Sequence, residues 1–244
     1  MKKNILTRTI LTFIIFAFTS ALLFADQSGE YNRNVNNRRF DRKNVTPVKN
    51  TQISKIINDI PKKELDSVEI TGILQMREEE KLARDVYNYL HKKWNLPIFS
   101  NIARAEATHM NAVGILISRY NLKDPIKTDI PGKYANPEIQ KLYNDLTSEG
   151  SKSLIDALKI GATVEDLDIK DLEEFISKTD NDDIKIVFQN LNKGSRNHLR
   201  AFYSQLKKNG ADYKAQFISE NYLLKIVNSS RERGIVIKDP NFKF

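Results

Sequence analysis

Glu106 and His109 stand three residues apart in the segment Ile102-Ala-Arg-Ala-Glu106-Ala-Thr-His109. On a helix that spacing puts a carboxylate and an imidazole on one face, one turn apart, where both can bind a single metal ion. Glu-x-x-His is also the recurring ligand unit of carboxylate-bridged di-iron bundles. Alone, so short a pattern has an ordinary meaning, a buried Glu–His hydrogen bond. Other segments, however, interrupt their apolar stripes in the same way. The stripe Ile184, Phe188, Leu191, Ser195, His198, Phe202, Leu206 carries His198, and the stripe Leu154, Leu158, Gly161, Glu165, Asp168 or Ile169, Leu172 carries Glu165. Gln75 or Met76, Glu79, Leu82, Ala83, Val86 and Leu90 bring at least one carboxylate of Glu78-Glu79-Glu80 to a stripe edge, and Glu80 precedes Tyr87 by two turns. Acids and imidazoles without partners are costly in a dry core, whereas a bound dication makes their charge favourable.

These residues need long helices to hold them, and the 3.6-residue period supplies such helices beyond residue 65. The spacing predicts a helix from about Ser67 to Trp94, stopped by Asn95 and Pro97, and a second from an N-cap at Ser100 to about Tyr120. A shorter helix is expected over Pro137 to Ser148, ended by Gly150. A long helix follows from Ser153 to Ser177, bent near Gly161, and another runs from Thr179 or Asp180 to Lys208. A last helix is expected over Phe217 to Asn228, and the only strand signal is Gly234-Ile-Val-Ile237. The expected fold class is all-α: a four-helix bundle with a short crossover helix and a C-terminal helix.

Several of these stretches resemble known sequences. Glu80-Lys-Leu-Ala-Arg-Asp-Val-Tyr87, Ile102 through His109, and Gly161-Ala-Thr-Val-Glu165 are similar to metal-binding helices of ferritin-like proteins, rubrerythrin in particular. Arg77 through Tyr87, Glu106 to Tyr120, Ala157 through Leu172 and Gly194-Ser-Arg-Asn-His-Leu-Arg-Ala-Phe202 together resemble the ferritin-like family catalogued as domain of unknown function 2202, over about residues 66–228. The resemblance implies a ferritin-like bundle whose metal ligands are Glu80, Glu106, His109, Glu165 and His198. Glu106 or Glu165 would bridge, and Tyr87 would be a hydrogen-bond donor behind the ligands. The fourth helix departs from the pattern, because a second Glu-x-x-His would need Glu where Ser195 stands. Asp168, or less directly Glu79, is a replacement candidate, and two unequal metal positions are expected. Carboxylate-rich, imidazole-poor ligand sets suit iron, as a pair or a single ion, or manganese. The function expected on this reading is a di-iron carboxylate oxidoreductase acting on ferrous iron, oxygen or peroxide; the competing reading is a non-catalytic bundle with a degenerate site. His91, near the polar end of the first helix, is expected to be exposed.

Composition narrows the choice further. The 244 residues contain no Cys, which excludes disulfide frameworks, thiolate nucleophiles and Cys-bound clusters, so any redox cycle needs an outside electron source. The formal charge of +8 does not mark a nucleic-acid surface. Residues 1–25 hold three basic and no acidic residues, and residues 26–65 hold nine against five, which leaves 27 basic and 26 acidic residues in the body. There is no Gly-x-Ser-x-Gly elbow and no glycine-rich phosphate loop. Met1-Lys2-Lys3, the apolar run Ile10 to Phe24 and Ala25 form the three parts of an export signal cleaved near Ala25, so a periplasmic or extracellular location is expected, with a retained anchor as the alternative. Residues 26–64, rich in Asn, Arg and Lys, read as a flexible linker. Its Arg33, Arg38, Arg39, Arg42 and Lys43 suit contact with an anionic surface, and Ile53, Ile56, Ile57 and Ile60 suit one short amphipathic turn ended by Pro61. The bundle is expected over residues 65–230, followed by a tail to 244.

Overall fold

The computed structural model describes residues 48–237, so the export signal and the basic stretch through Lys43 lie outside the described residues. Seven helices and no strands occur among the described residues: α1 (Val48–Asn58), α2 (Ser67–Trp94), α3 (Pro97–Arg119), α4 (Pro137–Glu149), α5 (Leu154–Lys178), α6 (Asp182–Lys208) and α7 (Glu220–Asn228). None is long and apolar enough to cross a membrane.

The chain is an all-α bundle built from two hairpins. Asp66 starts α2 with a capping box, its carboxylate accepting from Val68 and Glu69 N–H while the Glu69 side chain accepts from Asp66 N–H. Asn95 ends α2 in the left-handed region, at φ 51°, and Pro97 opens α3 two residues later, so the two helices fold back on each other. α3 therefore begins earlier than an N-cap at Ser100 would allow: proline, with no N–H to satisfy, takes the first helical position, and Ser100 Oγ donates back to Pro97 O at 3.1 Å. Likewise Asn181, rather than Thr179 or Asp180, precedes α6, while Thr179 Oγ1 accepts the Asn181 N–H at 3.1 Å.

Neighbouring long helices run antiparallel around the bundle. Glu69 at the start of α2 meets Thr179 and Asn181 beyond the end of α5, and Arg119 at the end of α3 pairs with Asp183 at the start of α6 at 2.7 Å. The two hairpins must then be joined by a connection as long as the bundle, and residues 120–153 with α4 make it. This crossover is fixed along α2 turn by turn. Arg77 holds Asp124 at 2.9 Å, Lys81 Nζ donates to the carbonyls of Ile130 and Lys133, and Arg84 reaches Asp129. Beneath them Asp85, fully buried, accepts from Lys81 at 2.7 Å, Arg84, Gly132 N–H at 2.9 Å and Tyr134 Oη at 2.9 Å.

Some expectations move. α1 is a helix of eleven residues rather than one turn, and Ile53 and Ile57 lie in a core with Ile73, Val113, Leu116, Leu172 and Phe188. Ile53 and Ile57, at i and i+4, thus share a buried cluster with residues of α2, α3, α5 and α6. α5 is unbroken at Gly161, whose missing side chain makes room for the Phe202 ring. α7 starts at Glu220, capped by Ser219. Residues 234–237 form no strand; Asn190 on α6 holds Val236 instead, donating to its carbonyl at 2.7 Å and accepting its N–H at 3.0 Å.

Candidate metal centre

Halfway along the bundle the stripes turn polar together. Glu80 from α2, Glu106 and His109 from α3, Glu165 from α5 and His198 from α6 meet there, with the three carboxylates at most 1% exposed. Glu106 sits in the middle. One of its oxygens lies 2.7 Å from His109 Nδ1 and the other 2.7 Å from His198 Nδ1. Glu80 approaches His109 Nδ1 to 3.4 Å, and Glu165 approaches His198 Nδ1 to 3.4 Å. The result is two groups with ligand atoms within 4.8 Å of one another, Glu80–Glu106–His109 and Glu106–Glu165–His198, sharing Glu106. The imidazole rings stack at 5.6 Å between centroids.

The donor atoms fit a cation better than they fit one another. Both Glu80 oxygens, Glu106 Oε1, Glu165 Oε2 and His198 Nδ1 are buried without a hydrogen bond. Glu106 Oε1 and His198 Nδ1 are close, yet not aligned as donor and acceptor. Buried polar atoms are seldom left this way, and these five belong to four residues of the two groups. Tyr87 donates to Glu165 Oε1 at 2.6 Å and leaves Oε2 facing His198.

The two groups are alike in composition, each with one imidazole, one carboxylate of its own and a share of Glu106. The inequality expected from Ser195 is therefore not built into the ligand count. Ser195 is buried as expected, but its Oγ lies 3.4 Å from Leu191 O, turned to its own helix. Asp168 and Glu79 are buried too, but neither is in the two groups. Glu79 accepts from Gln75 at 2.9 Å and lies beside Asp171, while burial, reinforced by the nearby Glu165 and Glu80, pushes the Asp168 carboxyl well up. His91 is only partly exposed, its Nδ1 3.2 Å from Leu96 O at the α2–α3 turn.

Sequence reasoning passed over Gly194. A Cβ there would collide with the His109 ring, so the glycine lets the imidazole lie against α6. Gly194→Ala improves helix propensity by about 1 kcal/mol yet displaces His109. The expected result is an intact helical circular-dichroism spectrum with metal affinity lowered about tenfold or more, read by chelator competition; unchanged affinity would show that His109 is not held there.

Electrostatics give the site a pH signature. Burial works against charge on His109, but Glu80 and Glu106 overrule it and push the imidazole up to about 10. Glu106 and Glu165 likewise overrule burial at His198 and raise it well above its usual range. Burial raises Glu80 to about 8 against the pull of His109, and burial with Glu106 raises Glu165 to about 7. Burial would raise Glu106 as well, yet His198 and His109 hold it far below the carboxylate range. The folded metal-free chain therefore keeps protons that the unfolded chain loses above 4.5 at the two raised carboxylates and above 6.5 at the imidazoles. Stability conferred by the imidazolium charges is complete below 6.5 and fades as pH climbs toward about 10. Thermal melts in chelator should show Tm falling from about pH 6 to about pH 9, while the rise in Tm produced by a divalent metal grows over the same range, because binding displaces those protons.

Residues 69–230 match the family described as "Uncharacterized protein domain (DUF2202)". The chain belongs to this family. The DUF2202 match contains all five residues of the two groups and excludes α1. A relative, "Uncharacterized protein MJ0754" of Methanocaldococcus jannaschii, is 53% identical over 179 residues, covering 73% of this chain and 97% of the relative. The crystal structure titled "hypothetical protein MJ0754 from Methanococcus jannaschii DSM 2661" aligns with a TM-score of 0.70 at 53% identity, over 71% of this chain and 99% of that one.

Proposed function

We propose that this DUF2202 protein is an exported ferritin-like metalloprotein that holds two divalent ions, iron or manganese, one on each side of Glu106. The observation that carries the reading is the convergence of buried, unpaired donor atoms on two groups that share one carboxylate. Glu106 would bridge, since each of its oxygens already faces a different imidazole. His109 and Glu80 would complete one position, and His198 and Glu165 the other. When bound, an iron pair supplies redox chemistry toward oxygen or peroxide. The chain's part is to fix ligand spacing through Glu106, to orient Glu165 through Tyr87, and to leave the imidazoles partly accessible, His109 at 15% and His198 at 12% of their side chains. Electrons would come from outside, since the chain has no Cys with which to hold an iron–sulfur relay. Export rests on the N-terminal signal pattern alone, and the Arg-rich stretch 33–43 suits an anionic surface.

The test is elemental analysis of the mature protein from iron-supplemented cells, followed by oxygen-electrode measurements when ferrous iron is added to the metal-free protein. Two ions per chain with oxygen uptake is the expected result. No tightly held metal would overturn the reading. Metal without oxygen uptake would favour a non-catalytic binding bundle, the reading to which Ser195 lends weight by removing a second bridging carboxylate.

A further inference from the structure

Small residues leave a gap between α3 and α6. Ala105 and Ala112 on α3 face Gly194 and Ala201 on α6, and where bulkier side chains would close the seam there is an open groove of about 980 Å³. It runs from Pro97 and Gln205 to Ala112 and Asn190, roughly 22 Å at 1.5 Å per residue, and His109 and His198 form part of its floor. Leu96, Ile98 and Ile102 line one end. The tail residues Arg231 to Ile235 run along the α6 side of the groove, where Glu232 accepts from Arg196 at 2.9 Å and from Arg200 at 3.0 Å beside His198, and Gly234 accepts from Lys193 nearer the Asn190 end. Glu232 is the one carboxylate in the lining, against Lys193, Arg200, Arg231 and Arg233, and it is already matched by the two arginines. Arg231 and Arg233 stand exposed beside it.

We propose that this groove binds an elongated amphiphilic anion, with its negative head at Arg231 and Arg233 and its apolar body laid across the His109 and His198 edges toward Leu96 and Ile98. Shape and charge agree: the groove is long, its inner end is apolar, and its rim is cationic, which favours an anion over a neutral or cationic ligand. A metal pair beneath the imidazoles would add to the same field. The proposal deepens the metal-centre reading and rests on it for the chemistry the occupant would meet, but not for binding itself.

The experiment titrates metal-free and metal-loaded protein with dodecanoate below its micelle concentration, with dodecyltrimethylammonium as the cationic counterpart. Dodecanoate is expected to bind both forms, and the cationic amphiphile neither. Ala105→Trp, which fills the groove, and the double variant Arg231→Glu/Arg233→Glu should each weaken dodecanoate at least about tenfold. Saturating dodecanoate should also slow withdrawal of metal by a chelator, because it covers the imidazole edges. Absence of dodecanoate binding, equal binding of the two amphiphiles, or undiminished binding by Ala105→Trp would each overturn the proposal. Dodecanoate binding by a protein that takes up no metal would instead sink the metal reading and leave the groove standing.

Discussion

Glu106→Gln is expected to empty both metal positions together. The carboxylate lies 2.7 Å from each of the two imidazole nitrogens and belongs to both ligand groups, whereas Glu80 and Glu165 belong to one each. The amide keeps the shape but loses the charge, and one of its two ends becomes a donor that cannot bind a cation. Affinity at both positions should fall by two orders of magnitude or more, about 3 kcal/mol. The metal-induced rise in Tm should vanish with it. Glu80→Gln and Glu165→Gln are the informative controls: each should bring the content from two ions per chain toward one. Isothermal titration with elemental analysis separates these results. A Glu106→Gln protein that retained one tight ion would show that the carboxylate does not bridge.

The largest loss of stability is expected outside the two ligand groups, at Asp85. Its side chain is fully buried with Lys81, and it accepts from α2 and from the crossover at once. Asp85→Ala strands the Lys81 ammonium, 1% exposed, without its counter-charge and leaves the Gly132 N–H and Tyr134 hydroxyl short of an acceptor. Breaking a buried pair in this way costs about 3–5 kcal/mol, or roughly 6–20 °C in Tm for a chain of this size. Asp145→Ala, which breaks the exposed pair with Lys141, should cost under about 1 kcal/mol. The double change Lys81→Met/Asp85→Leu should recover part of the loss, since it leaves no charge unpaired. Denaturant melts decide this, and an Asp85→Ala loss no larger than that of Asp145→Ala would mean that the pair is not shielded from water.

Much of the bundle and its centre could be read from the sequence because both obey a local rule. A stripe at 3.6-residue spacing shows which face is buried, and Glu106, His109, Glu165 and His198 are conspicuous as polar residues on such stripes. Proline and asparagine fixed the α2–α3 turn within a few residues. What escaped depends on partners distant in the chain. Lys81 and Asp85 look like an ordinary solvated i,i+4 pair, and only the arrival of residues 129–134 buries them. Gly194 looks like a weak point in a helix until the His109 ring is seen against it. The equality of the two ligand groups was hidden as well, because helix spacing shows which residues share a face but not how one carboxylate is divided between two imidazoles.

The crossover divides the ligand groups unevenly between the hairpins. Glu80, Glu106 and His109 all lie on the α2–α3 hairpin, closed by a two-residue turn, whereas Glu165 and His198 come from the α5–α6 hairpin and need Glu106 from the other to complete their group. One position is thus short-range in the chain, spanning residues 80–109, and the other can exist only after a segment of more than thirty residues has brought the second hairpin home. Loop-closure entropy then orders assembly: a nascent chain can present three ligands to a cation as soon as its first hairpin has formed, long before the bundle closes. An ion captured there would wait for the second hairpin, and the ion held by His198 would act as the clasp between the two hairpins.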